Sequence, residues 1–349
     1  MIIRVVSLGG QAEPPAIGAD HEELPVRFNP KARLDTRRVR DSGRSRGGGG
    51  SGGGLGGGSG GGMRVPIPSG AKGGSAIGAV LALVLFLVLT QCVGGGQGGL
   101  SLPDDSLDTS RAQGTDSGRY AACRTGEDAN ASSDCARVAV ENSLTDYWSE
   151  TLPEQSDTDF RPEQVMQTFT GAVDTGCGRA TSDVGPFYCP ADEGIYLDTT
   201  FFRDVLQQQL GGPAGDFVEP YVLAHEYGHH IQNVMGTMGR VRTQQGPESD
   251  AVRLELQADC YAGMWTAAAT GTDDAGGEPL IVELSEEDIN QAIAAAKSVG
   301  DDRIQDRTTG RVNPREWTHG SAEQRQGWFM VGYTEGSLEA CDTFAASDL

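Results

Sequence analysis

The stretch Tyr221-Val222-Leu223-Ala224-His225-Glu226-Tyr227-Gly228-His229-His230 constrains this chain more than any other. Residues four apart on a helix stand above one another on one face, so a helix here lets His225 and His229 offer two imidazole nitrogens to one cation. Glu226 then sits one step round, beside the open coordination position. This H-E-x-x-H spacing is a zinc signature, in which the glutamate activates a water on the metal. Such a site needs a third protein ligand. Glu255 is the candidate, because Asp259 follows it one helical turn later. Asp259 can accept the spare N–H of a liganding histidine, the bond that fixes tautomer and aim. The competing reading is an ordinary amphipathic helix, with Glu255 and Arg253 on a charged face. A third ligand and an orienting acid at helical spacing weigh against it.

The charge of the 349-residue chain is divided unevenly. Residues 1–75 hold 11 Lys and Arg against 6 Asp and Glu, leaving 16 against 43 beyond, so the net charge of −22 joins a basic segment to an acidic body. A body of that sign excludes nucleic-acid binding. Residues 47–62 are nearly pure glycine, broken by Ser51, Leu55 and Ser59. That tract reads as a flexible spacer spanning about 20 Å, and residues 1–75 as a basic, glycine-rich, disordered cytoplasmic segment.

Residues 76–93 are uncharged and strongly apolar, close to the minimum length for crossing a bilayer. Lys72 and the arginines before it lie on one flank, with Asp104, Asp105 and Asp108 on the other. The positive-inside rule therefore predicts a single-pass cell-membrane anchor, with the N-terminus cytoplasmic and the body extracytoplasmic. A cleaved signal peptide would lie unusually far from the start, without a clear A-x-A site, and Leu-Thr-Gln before Cys92 is a poor lipoprotein signal. A buried core helix is a weaker reading beside a glycine spacer. Residues 94–118 read as a linker, and residues 119–349 as the folded domain.

Six cysteines follow the apolar stretch: Cys123, Cys135, Cys177, Cys189, Cys260 and Cys341. An even number in an oxidising compartment suggests three disulfides. Two equal local spacings favour Cys123 with Cys135 and Cys177 with Cys189, leaving Cys260 for Cys341. In a reducing compartment Cys177 or Cys189 would instead compete as metal ligands.

Periodicity and breakers place helices over about 135–149, 201–210, 217–235 and 251–270, with strands over 165–173 and 195–197. Ser285 opens a further helix through Lys297, and Ser321 can cap another. Asp301 and Asp302 read as solvated acids. The fold class is α+β, mainly helical with a small sheet.

The runs His225-Glu226-Tyr227-Gly228-His229-His230-Ile231-Gln232-Asn233, Arg253 through Gly263 and Thr318-His319-Gly320-Ser321 resemble a bacterial, membrane-anchored family of neutral zinc metallopeptidases. Cys177-Gly178 and Val184 through Pro190 resemble it too, as does a short stretch from Arg27 to Asp35. Because the match begins at Arg27, translation is expected to start near Val26. More broadly the chain is similar to the gluzincins, whose ligand triad is His, His, Glu. The resemblance implies a zincin-like domain holding one Zn2+ and hydrolysing peptide bonds of a peptide or protein substrate. It also implies that a strand beside the active-site helix pairs with the substrate backbone, which points to the strand around Ile195. A structural hairpin stapled by cysteine is the alternative.

In this reading His225, His229 and Glu255 are the metal ligands and Asp259 orients one of them. Glu226 is the catalytic base, and His319 donates to the developing oxyanion. A lone histidine before a helix is more often structural or solvent-exposed; its place in the family pattern is what singles out His319. Tyr188, Tyr196 and Tyr227 stay outside the site. The rival functions are a silent envelope scaffold that keeps the fold, and a metallohydrolase of another amide bond using a cysteine ligand.

Overall fold

The computed structural model describes residues 27–44 and 116–349. The expected span at 76–93 lies outside them. Among the described residues no helix is long and apolar enough to cross a membrane.

Two strands come from the N-terminal segment, and this corrects the expected domain boundaries. β1 (Arg27–Phe28) pairs antiparallel with β8 (Ile281–Glu283), while β2 (Val39–Arg44) lies parallel to β3 (Val165–Thr170). The folded body therefore includes residues 27–44 and does not begin at 119. Pairing partners this distant in sequence leave no local periodic signal, which is why the segment read as disordered.

The main sheet runs β2-β3-β7-β6, with β7 (Gly194–Asp198) parallel to β3 and β6 (Phe187–Cys189) antiparallel to β7. β3 is rich in β-branched and aromatic residues, and Met166, Gln167, Thr168 and Phe169 are all buried, as a central strand covered on both faces requires. It stops at Thr170, because Gly171 takes a left-handed turn (φ +91°) into a hairpin of β4 (Ala172–Thr175) and β5 (Gly178–Thr181). β7 lies between two partners, so Ile195 cannot pair with a substrate. The sheet edge beside the active-site helix belongs to β6.

Around the sheet pack α1 (Gly126–Ala131), α2 (Ser133–Gln155), α3 (Val218–Val234) and α4 (Asp250–Ala268). α5 (Glu286–Ser298), α6 (Asp301–Thr309) and α7 (Ala322–Glu335) complete the helices. The segment expected as a helix over 201–210 is π-helical at Phe202–Gln207. α3 ends where Gly236 turns left-handed (φ +74°). Ser249 caps α4 by accepting the Val252 N–H, and Ser285 and Ser321 form capping boxes with Asp288 and Gln324.

Helix approach is set by missing side chains. A Cβ on Gly228 of α3 would meet the Ala258 backbone of α4 at 3.1 Å. One on Gly332 of α7 would lie 1.8 Å from the Cys260 carbonyl oxygen, and one on Gly263 of α4 would lie 2.0 Å from that of Phe329. Glycine at these contacts lets α4 lie against α3 on one side and α7 on the other. The three disulfides are Cys123–Cys135, Cys177–Cys189 and Cys260–Cys341, the pairing favoured by spacing. The last closes a separation of 81 residues and ties the C-terminal tail to α4. In the chain-entropy view a loop of that size stabilises by about 4.5 kcal/mol.

Candidate active site

Two buried helices build the site. On α3, His225 and His229 present rings whose centroids lie 4.8 Å apart. Glu255 of α4 meets both, with Oε2 3.2 Å from His225 Nε2 and Oε1 3.5 Å from His229 Nε2. One ligand atom from each of the three lies within 4.8 Å of the others. The far nitrogen of each ring is engaged: His225 Nδ1 lies 2.9 Å from Asp259 Oδ1, and His229 Nδ1 lies 2.8 Å from Gln232 Oε1. Both acceptors engage an N–H at Nδ1, so Nε2 of each ring is turned towards Glu255. Two imidazoles and a carboxylate, buried and aimed from behind, form a donor set that fits zinc.

Asp259 does more than orient His225. Arg325 of α7 donates to its Oδ2 at 2.8 Å and its Oδ1 at 3.0 Å, and the Tyr221 hydroxyl donates to Oδ1 at 2.5 Å. Burial alone would raise the Asp259 carboxyl, but Arg325 and His225 outweigh it and bring it down to about 2. Tyr221 stands one turn before His225 on α3, a spacing visible in the sequence. Arg325 carried no such signal, since only the packing of α7 on α4 brings it to Asp259.

Glu226, also buried, lines the same cavity as the three ligands. Burial raises its carboxyl, while His225 and His229 pull the other way and Glu255 adds to the rise. A carboxylate with a raised pKa is a stronger base near neutrality.

His319 joins this cavity from the loop before α7. Its Nδ1 lies 2.9 Å from Thr318 Oγ1 and 3.3 Å from Asp301 Oδ1. Asp301 Oδ2 also accepts the backbone N–H groups of Thr318, His319 and Gly320 at 2.7, 2.7 and 3.1 Å. The reading of Asp301 as a solvated acid is thereby corrected. It is a buried anchor of the His319 loop, hidden in the sequence because its partners are 17 to 19 residues away. Burial lowers the His319 ring, but Glu255 and Asp301 dominate and raise it, favouring a ring able to donate.

The excluded tyrosines sort by where their hydroxyls go. Tyr196 donates to Asp192, and Tyr227 lies 3.0 Å from Thr145 Oγ1, both directed at other partners. Tyr188 of β6 lines the cavity, its hydroxyl 3.1 Å from His230 Nδ1 and accepting from Asn233 at 2.9 Å. That contact pins the sheet edge to α3. Cys177 and Cys189 are bonded to each other and take no part in the ligand cluster.

The cavity has a volume of about 140 Å³, and its walls include Phe187, Phe201, Val205, Leu210, Met238 and Ile304. An apolar cavity of about 150 Å³ is large enough for a benzene ring.

Fold and site together bring His225, His229 and Glu255 from two helices into a cluster that could hold a metal ion, with the buried Glu226 beside it. The family model described as "Putative neutral zinc metallopeptidase" matches residues 30–344, and the chain belongs to that family. It is similar to "Uncharacterized protein Mb2605" of Mycobacterium bovis, 53% identical over 229 residues, covering 65% of this chain and 76% of that protein. "Uncharacterized protein Rv2575" of Mycobacterium tuberculosis matches to the same extent. "Uncharacterized protein YpfJ" of Escherichia coli K12 is 39% identical over 208 residues, covering 58% of this chain and 68% of that protein. No solved structure gives a significant match.

Proposed function

We propose that this protein is a zinc-dependent peptidase that cleaves beside a large apolar side chain. The observation that carries the reading is the convergence of His225, His229 and Glu255 next to buried Glu226, at the wall of an apolar cavity. Zinc held by those three ligands would act as a Lewis acid and lower the pKa of a coordinated water to about 7. Glu226 takes the proton of the attacking water and returns it to the leaving nitrogen. His319, aimed by Asp301, donates a hydrogen bond to the oxygen on which negative charge develops. Asp259, fixed by Arg325 and Tyr221, keeps His225 in the tautomer that binds metal.

The substrate enters as an extended peptide. β6 offers the sheet edge beside α3, where main-chain groups can pair with an added strand. The cavity takes a side chain the size of leucine, methionine or phenylalanine, with phenyl and aliphatic groups on its walls.

Residues 76–93 are the proposed membrane attachment, and the acidic body makes nucleic acid an unsuitable partner. The test is cleavage of a peptide library by the full-length zinc-loaded protein, with and without chelator. Chelator-sensitive cuts next to leucine, methionine or phenylalanine support the proposal. Zinc binding without cleavage of any peptide favours the scaffold reading.

A further inference from the structure

Residues 27–44 are tied to the body by reciprocal anchors. The Phe28 N–H donates to Asn130 Oδ1 at 2.9 Å, and Asn130 Nδ2 donates back to the Phe28 carbonyl at 2.8 Å. Asn142 does the same for Asp35, at 2.7 and 2.9 Å. The Arg33 N–H donates to Asp274 at 2.6 Å, and β2 completes a ladder along the edge of β3.

The deepest anchor is charged. Arg38 Nε donates to Glu141 Oε1 at 2.9 Å, lies 3.5 Å from Glu163 Oε1, and its Nη2 donates to Thr145 at 3.2 Å. Both carboxylate oxygens of Glu163 are buried without a hydrogen-bond partner. Among the described residues the only salt bridge that Glu141 or Glu163 makes is with Arg38. Take the segment away, and two buried carboxyls face each other with no counter-charge. They sit behind α3, where Thr145 bonds to Glu141 and lies 3.0 Å from the hydroxyl of Tyr227, the residue next to Glu226. Leaving a buried charge without its partner is among the most destabilising changes a fold can suffer.

In sequence, the apolar stretch 76–93 separates this segment from the rest of the body. One bilayer crossing there would put residues 27–44 and 116–349 on opposite faces. Strands cannot pair across about 30 Å of hydrocarbon.

We infer that residues 27–44 are a component of the domain that carries His225, His229 and Glu255, and lie on the same side of the membrane as those residues. This departs from the single pass expected from flanking charge, and it holds whether or not the site cleaves peptides.

Cysteine accessibility in the full-length chain tests it. In a Cys92→Ser background the other six cysteines are disulfide-bonded, so a single added thiol can be read. Arg37→Cys and Arg203→Cys place that thiol at side chains 84% and 69% exposed, away from the core. Intact spheroplasts are treated with a membrane-impermeant maleimide before and after lysis. The inference requires the two positions to agree, both labelling before lysis or both only after it. Labelling of one without the other before lysis overturns it.

Discussion

Asp301 grips His319 at two points, accepting its backbone N–H at 2.7 Å through Oδ2 and lying 3.3 Å from its Nδ1 through Oδ1. One carboxylate thus sets both the path of the loop and the aim of the ring. In the proposed mechanism the relationship splits a chemical role, that of His319, from a positioning role, that of Asp301.

His319→Ala removes the donor itself, and kcat is expected to fall by about 100- to 1,000-fold with zinc content unchanged. Asp301→Ala leaves the ring but frees three backbone N–H groups, so kcat falls by up to about 100-fold, again at full zinc occupancy. Steady-state kinetics paired with metal analysis separates both from a lost ligand.

Asp259→Asn keeps the shape but can present an amide N–H where His225 needs an acceptor. Zinc affinity is expected to drop by about 10- to 100-fold, read by competition with a chromogenic chelator. Arg325→Met strands the Asp259 carboxylate in the interior and should cost about 3–5 kcal/mol in chemical denaturation.

Gly228→Ala tests the distance between the helices. The new methyl would press on the Ala258 backbone at 3.1 Å, so α4 must shift and carry Glu255 with it. A stability loss of about 1–3 kcal/mol together with weaker zinc binding is the expected outcome. Unchanged zinc affinity would mean that Glu255 does not depend on this contact.

Burial and the neighbouring Glu141 raise the Glu163 carboxyl well above the ordinary range. A carboxyl raised in the fold stabilises fully below its unfolded pKa, and that contribution is lost as pH rises towards the folded value. Each pH unit in that window costs about 1.4 kcal/mol. Glu163→Gln has no such loss. Its stability should match the parent near pH 4 and exceed it progressively above about pH 5, in denaturation series at several pH values. Arg38→Met should destabilise at neutral pH, and adding Glu163→Gln should restore part of the loss.

What could be read from the sequence was what lay close together along the chain. His225, Glu226 and His229 share one helix, the caps at Ser249, Ser285 and Ser321 act within three residues, and the shorter disulfides join cysteines 12 apart. Glu255 was legible because Asp259 marks the same face of its helix. Arg325, the anchoring role of Asp301 and the pairing of β2 with β3 were not, since each joins segments that only the completed fold brings together. The stretch around Ile195 left two readings open for the same reason, a substrate-pairing strand or a hairpin stapled by cysteine, and the pairing of β7 with β6, which carries Cys189, matches the second. Flanking charge likewise divided the chain at residues 76–93, whereas the ladder from β2 to β3 unites the two sides. A fragment starting at residue 119 would lack both N-terminal strands.

The most direct test is Glu226→Gln in the full-length protein, with zinc stoichiometry and peptide cleavage measured on the same preparation. Parent and variant alike should hold one zinc per chain, and the variant should lose cleavage. Cleavage at the parental rate, or loss of zinc along with activity, would contradict a glutamate that moves protons beside a metal held by His225, His229 and Glu255.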